Sequence, residues 1–182
     1  MVWTAGKLCG AVGLMLCAVT GMVRADTSFW YDKARLADFR AGIFCLTDDK
    51  YPVKEPDTMS GEIDIYNDTP IMVRETRVIP ALEQIAFGTE ERSLADEDIE
   101  LLITIEHPAL GRKQMRRESW RSSLVQDSAT SDFFIIGLSD GDPVGHWAIT
   151  GSENGRTLFR VNFEVVPPKP GEVSPCIAEM TS

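Results

Sequence analysis

Two histidines, two late cysteines and one run of basic residues are the side chains of this 182-residue chain with the most obvious chemistry. A hydrolytic triad would need His107 or His146 beside an activated serine and an aspartate. Ser60-Gly61 and Gly151-Ser152 lack the G-x-S-x-G elbow that lifts a nucleophile onto a strand-to-helix turn. His107 stands before Pro108 where an alternating run ends, and His146 stands beside Trp147 where another begins. Both read as structural or surface histidines, and no catalytic residue is assigned. A zinc site would need three or four His, Cys or carboxylate ligands at close spacing, and the sequence offers no such set. Asp140-Gly141-Asp142 and Asp96-Glu97-Asp98 gather carboxylates, but neither has the spacing of the twelve-residue calcium loop. Asp-Gly-Asp-Pro reads more simply as a tight turn. No metal and no cofactor is expected.

The cysteines point to a structural role. Of four, Cys9 and Cys17 lie in the apolar N-terminal segment, which leaves Cys45 and Cys176. An even number in an exported chain reads as a disulfide, here tying the first core strand to the C-terminal tail. A reactive or metal-binding pair would call for a C-x-x-C spacing or a nearby histidine, and neither is present.

Arg112, Lys113, Arg116, Arg117 and Arg121 form a basic segment in a chain of net charge −10. Two readings stand for it. The charges can guard the edge of a hairpin against sheet-to-sheet association. Alternatively, they can dock an acidic protein of the cell envelope or an anionic glycan. Trp120 and Trp147 read as core tryptophans of a sandwich rather than as a sugar-stacking platform; Trp30 is the more open one.

Residues 1–25 read as a signal peptide. Lys7 is the positive start, Leu8 to Val23 the apolar run, and Val23-Arg24-Ala25 the small-x-small cleavage site. The run is short for a membrane span, so cleavage would leave no stable membrane insertion. A periplasmic or secreted chain of 157 of the 182 residues would result, with 16 basic and 28 acidic residues and a net charge of −12, since Lys7 and Arg24 leave with the signal. That surface repels phosphates and excludes nucleic acid as the expected partner.

The elements that must position these groups are strands. Phe159, Val161, Phe163 and Val165 alternate with Arg160, Asn162 and Glu164, the period of a half-buried antiparallel strand. Phe159 and Phe163 thus join Trp120 and Trp147 in the expected core. Ile99 to Ile105 and Met59 to Tyr66 alternate likewise. The stretch from Asp132 to Val166 reads as three successive strands, with hairpin chemistry at Asp140-Gly141-Asp142-Pro143 and Glu153-Asn154-Gly155. Asp48 to Thr58, with Pro52 and Pro56, reads as a loop. About eight strands follow and no helix, which predicts an immunoglobulin-like antiparallel β-sandwich. The expected division is a signal at 1–25, a lead-in at 26–39, the sandwich at 40–167, and an extended tail at 168–182 held back by the disulfide.

Gly42-Ile43-Phe44, Phe87-Gly88, His107-Pro108, Trp120, Phe133-Phe134, Gly145-His146-Trp147 and Phe163-Glu164-Val165-Val166 come in an order that resembles a bacterial family of uncharacterised domains, DUF3859. The resemblance implies an immunoglobulin-like fold, usually exported, and implies no activity and no catalytic residues. The expectation is a non-enzymatic binding or structural module of the bacterial envelope. The alternatives are an assembly or chaperone-like accessory that offers a sheet edge, and a hydrolase whose carboxylate site the sequence does not reveal.

Overall fold

Alternating side chains divide each long strand into one apolar and one polar face, and two sheets cover their apolar faces with each other. The computed structural model describes residues 29–141 and 143–176. The expected signal at 1–25 and Asp142 of the Asp-Gly-Asp turn lie outside the described residues. The strands are β1 (Phe29–Tyr31), β2 (Leu36–Cys45), β3 (Lys50–Lys54), β4 (Glu62–Tyr66), β5 (Ile71–Glu75) and β6 (Val78–Pro80), followed by β7 (Ala86–Ser93), β8 (Ile99–Leu110), β9 (Met115–Leu124), β10 (Ala129–Ile135), β11 (Gly145–Glu153) and β12 (Arg156–Val166).

One sheet runs β1-β12-β11-β8-β9, with β6 added parallel to the far end of β12. The facing sheet runs β10-β7-β2-β5, and β3 and β4 pair as a separate ribbon. All other pairings are antiparallel. The chain crosses between sheets at β1–β2, β5–β6, β6–β7, β7–β8, β9–β10 and β10–β11, the pattern of an immunoglobulin-like sandwich rather than of a meander.

The core lies between the sheets. Ile103, Ile105, Trp147, Ile149, Phe159, Val161 and Phe163 come from the larger sheet, and Phe39, Ile43 and Phe87 from the smaller. Phe87 meets Trp147 and Phe163 edge-on at 5.3 and 5.1 Å between ring centres. Truncating such a buried aromatic to alanine costs about 3–5 kcal/mol. Gly88 lets β7 and β10 approach closely: a Cβ there would collide with the carbonyl oxygen of Asp132. Cys45 and Cys176 are joined by a disulfide that brings the tail back to the end of β2.

Several boundaries differ from the sequence reading. The lead-in expected at 26–39 is divided between the sheets: Phe29–Tyr31 pair with Phe159–Val161 of β12 in the larger one, and Leu36–Phe39 begin β2 in the smaller one. Three residues are too few for a period to show. Lys50–Lys54 is a strand despite Pro52, because it sits in a two-stranded ribbon where a missing N–H can face away from its one partner. β8 runs through His107-Pro108 to Leu110. The segment from Asp132 is not three hairpin-linked strands: Leu138–Asp140 form a short 3-10 turn that carries the chain from one sheet to the other. Glu153-Asn154-Gly155 does close a hairpin, with Asn154 and Gly155 at φ 48° and 80°, the left-handed region that such a turn requires. Twelve strands rather than eight result, chiefly because the additional ones are short.

Candidate functional site

The basic segment lies on β9, an edge strand of the larger sheet, and on the turn before it. Gly111–Gln114 make that turn, closed by the Gln114 N–H donating to the Gly111 carbonyl at 3.1 Å. Arg112 and Lys113 are exposed at its tip, and Arg116, Arg117 and Arg121 are exposed along β9. Elsewhere the cations divide: Lys33, Lys54, Arg74, Arg77, Arg92 and Lys169 also meet no carboxylate among the described residues, and five others do. Arg35 meets Glu153, Arg40 meets Glu90, Lys50 meets Asp64, Arg156 meets Asp32 and Arg160 meets Glu106. Among the described residues, none of the five side chains from Arg112 to Arg121 meets a carboxylate. Five like charges within ten residues repel one another, so an unpaired cluster is a cost that an incoming anion would relieve.

The edge that carries these charges is closed by its own chain. The loop from Glu55 to Gly61 lies along β9. The Ser119 N–H donates to the Asp57 carbonyl at 3.1 Å, and the Arg121 N–H donates to Glu55 Oε1 at 3.3 Å. Met59 returns the contact, its N–H donating to Glu118 Oε2 at 2.6 Å. The backbone of β9 is thereby engaged at its middle, while its basic side chains remain exposed.

Behind this edge lies a polar cluster inside the sandwich. Period-two alternation points Trp120 and Ser122 of β9, Glu91 of β7 and Asp132 of β10 inward. The Trp120 indole N–H and the Ser122 hydroxyl each donate to Asp132 at 3.0 Å, one to each carboxylate oxygen. Glu91 is 1% exposed and neither of its oxygens has a well-aligned partner. Burial, then the neighbouring Asp132 charge, hold the Glu91 carboxyl well above its ordinary range. Burial also raises Asp132, partly offset by the donors Trp120, Glu91 and Ser122. Glu91 is the proton holder of the pair and Asp132 the acceptor.

His107 is buried and stacks on Trp147 with ring centres 4.9 Å apart. Its Nδ1 lies 2.7 Å from the Pro108 carbonyl oxygen and its Nε2 3.2 Å from Glu118 Oε1. His146 is exposed on β11, 3.0 Å from Glu164. Neither faces a serine hydroxyl through a hydrogen bond. Asp98 accepts the Gln126 N–H, and among the described residues no three His, Cys, Asp or Glu side chains are grouped to hold a metal ion. A cleft of about 1040 Å³ opens beside Tyr66, Trp120, Ser122, Thr130, Asp132 and Phe133. Glu62, Asp64, Asp68 and Glu100 also line it, and Arg121 is the one member of the basic segment that does. The Arg-rich surface and the cleft are therefore distinct in charge.

Sequence reasoning found the basic segment and missed the Glu91–Asp132 pair. Glu90-Glu91-Arg92 looks like a solvated run. The signal was the alternation Phe87, Thr89, Glu91, Ser93, which sets Glu91 on the face of a core phenylalanine.

Fold and site together define an immunoglobulin-like β-sandwich with a disulfide-anchored tail and no assembled catalytic set among the described residues. The chain belongs to the family described as a domain of unknown function, DUF3859, whose sequence profile matches residues 32–165. Comparison with curated proteins gives no match. Among solved structures, the chain is similar to the crystal structure of an immunoglobulin-like protein from Pseudomonas aeruginosa, at 15% identity, with 79% of this chain and 100% of that chain covered and a TM-score of 0.47.

Proposed function

We propose that this protein is an exported, non-enzymatic binding module of the bacterial envelope, which docks an anionic partner through Arg112, Lys113, Arg116, Arg117 and Arg121. The single observation that carries the reading is the density of cations at that place: five exposed basic side chains within ten residues of one sheet edge, none of them meeting a carboxylate among the described residues. An acidic chain that leaves one cluster of cations open concentrates its attraction for anions at that place. Export is supported by the Cys45–Cys176 disulfide, which persists in oxidising compartments, and by the leader-like segment at 1–25. Among the described residues no helix is long and apolar enough to cross a membrane.

The engagement is through side chains. Strand addition at β9 is disfavoured because the loop from Glu55 to Gly61 already occupies N–H groups of that edge. Hydrolysis by the Glu91–Asp132 pair is disfavoured because Glu91 is buried and both Asp132 oxygens already accept hydrogen bonds. Retention of the exported chain on immobilised polyglutamate tests the reading. The wild type should bind at low ionic strength and elute as salt rises, and R116E/R117E should pass unretained. Equal retention of both proteins would refute it.

A further inference from the structure

The outer face of the larger sheet carries part of the basic segment at one edge and an exposed aromatic side chain at the other. Pairing registers place Trp30, Arg160, Thr150, Thr104 and Ser119 in one row, from β1 through β12, β11 and β8 to β9, with Thr150 and Ser119 half-buried and Thr104 buried. Four strand spacings make that row about 19 Å long. On β9, Arg117 and Arg121 flank Ser119 on the same face, about 13 Å apart. Trp30, at the opposite end, is 54% exposed. Its strand neighbours Phe29 and Tyr31 instead face inward and stack on Phe39 at 5.9 and 5.3 Å. Between the two ends the face is polar. Arg160 donates to Thr150 at 3.0 Å and to Glu106 at 2.8 Å. Leu102 is exposed opposite Arg121. The acids of this face are Glu106, which is paired with Arg160 and lies opposite Arg117 in the register, Glu164, beside His146, and Glu100, which faces Ser123.

We infer that this face binds an anionic polysaccharide laid across the strands, its carboxylates or other acidic groups at Arg117 and Arg121 and a sugar ring against Trp30. The inference rests on the anionic-partner reading above and names its chemical class. Three features support a glycan over an acidic polypeptide. The face is polar, and Thr150, Ser119 and Asn162 on it are half-buried hydroxyl and amide groups suited to ring hydroxyls. An indole exposes its ring in line with the two free arginines, and C–H groups of a sugar ring suit that surface. Backbone pairing, which an extended peptide would seek, is unavailable in the interior of a sheet and is engaged along the middle of β9.

Equilibrium binding of the exported chain to polygalacturonate, to polyglutamate and to neutral dextran tests it, with the wild type, W30A, W30F and R117E/R121E. The expected result is that W30A weakens polygalacturonate binding about tenfold and leaves polyglutamate binding unchanged. W30F should restore most of the loss, and R117E/R121E should abolish binding of both polyanions. Trp30 is exposed, so these variants should keep the wild-type melting temperature. If W30A and wild type bind polygalacturonate equally while R117E/R121E does not, the glycan inference fails and the anionic-partner reading stands. If the wild type binds neither polyanion, both fail. If dextran binds as tightly as polygalacturonate, the role assigned to Arg117 and Arg121 is overturned.

Discussion

The indole N–H of Trp120 donates to Asp132 at 3.0 Å, and that bond ties the larger sheet to the smaller one. Trp120 belongs to β9, the strand that presents the basic segment, so the bond fixes that basic edge to the opposite half of the sandwich. W120F removes the donor, keeps most of the apolar volume, and leaves a buried carboxylate with the Ser122 hydroxyl as its remaining donor of the two. The expected cost is about 1–3 kcal/mol, read from urea denaturation with an unchanged slope. An unchanged midpoint would remove the bond from the account of stability.

Glu91 predicts an unusual pH dependence. Its carboxyl is raised well above 4.5 in the folded protein, first by burial and then by the Asp132 charge. The folded state therefore holds a proton that the unfolded chain has released. Its contribution is fully present below the unfolded pKa and is lost as pH rises through the folded one. E91Q keeps the shape and needs no proton. It should be more stable than wild type at pH 7, with the difference shrinking at about 1.4 kcal/mol per pH unit on acidification within that window and vanishing near pH 4. Paired melting curves from pH 4 to 8 measure it, and a constant difference would contradict the assignment.

The disulfide closes a loop with a sequence separation of 131. The chain-entropy model gives at most about 5 kcal/mol for a loop of that size. C45S/C176S should lose stability of that order in denaturant, and intact mass of the exported wild type should show no free thiol among these two cysteines. Two free thiols would mean that the tail is not anchored.

What the sequence disclosed follows the length of each signal. β12 spans eleven residues, and its alternation was plain. β8 was equally legible, but its end was not, because His107-Pro108 looks like a terminator and a strand can carry proline at its margins. β1 and β6 have three residues each and leave no periodic trace. The Asp140 region resembled a hairpin, since the residues that make a tight turn also serve a crossover, and local chemistry does not say which sheet the next strand joins. The basic segment was visible as composition. That its side chains meet no carboxylate among the described residues depends on where the fold places the acidic residues, as with Arg35 beside Glu153, and composition does not disclose that.

Docking at the basic segment is the central claim, and a residue-resolved map tests it most directly. Titrating the ¹⁵N-labelled exported chain with polyglutamate should shift the amides of residues 112–121, and the shifts should collapse as salt is raised. Shifts confined to the sheet formed by β10, β7, β2 and β5, or none at all, would contradict it.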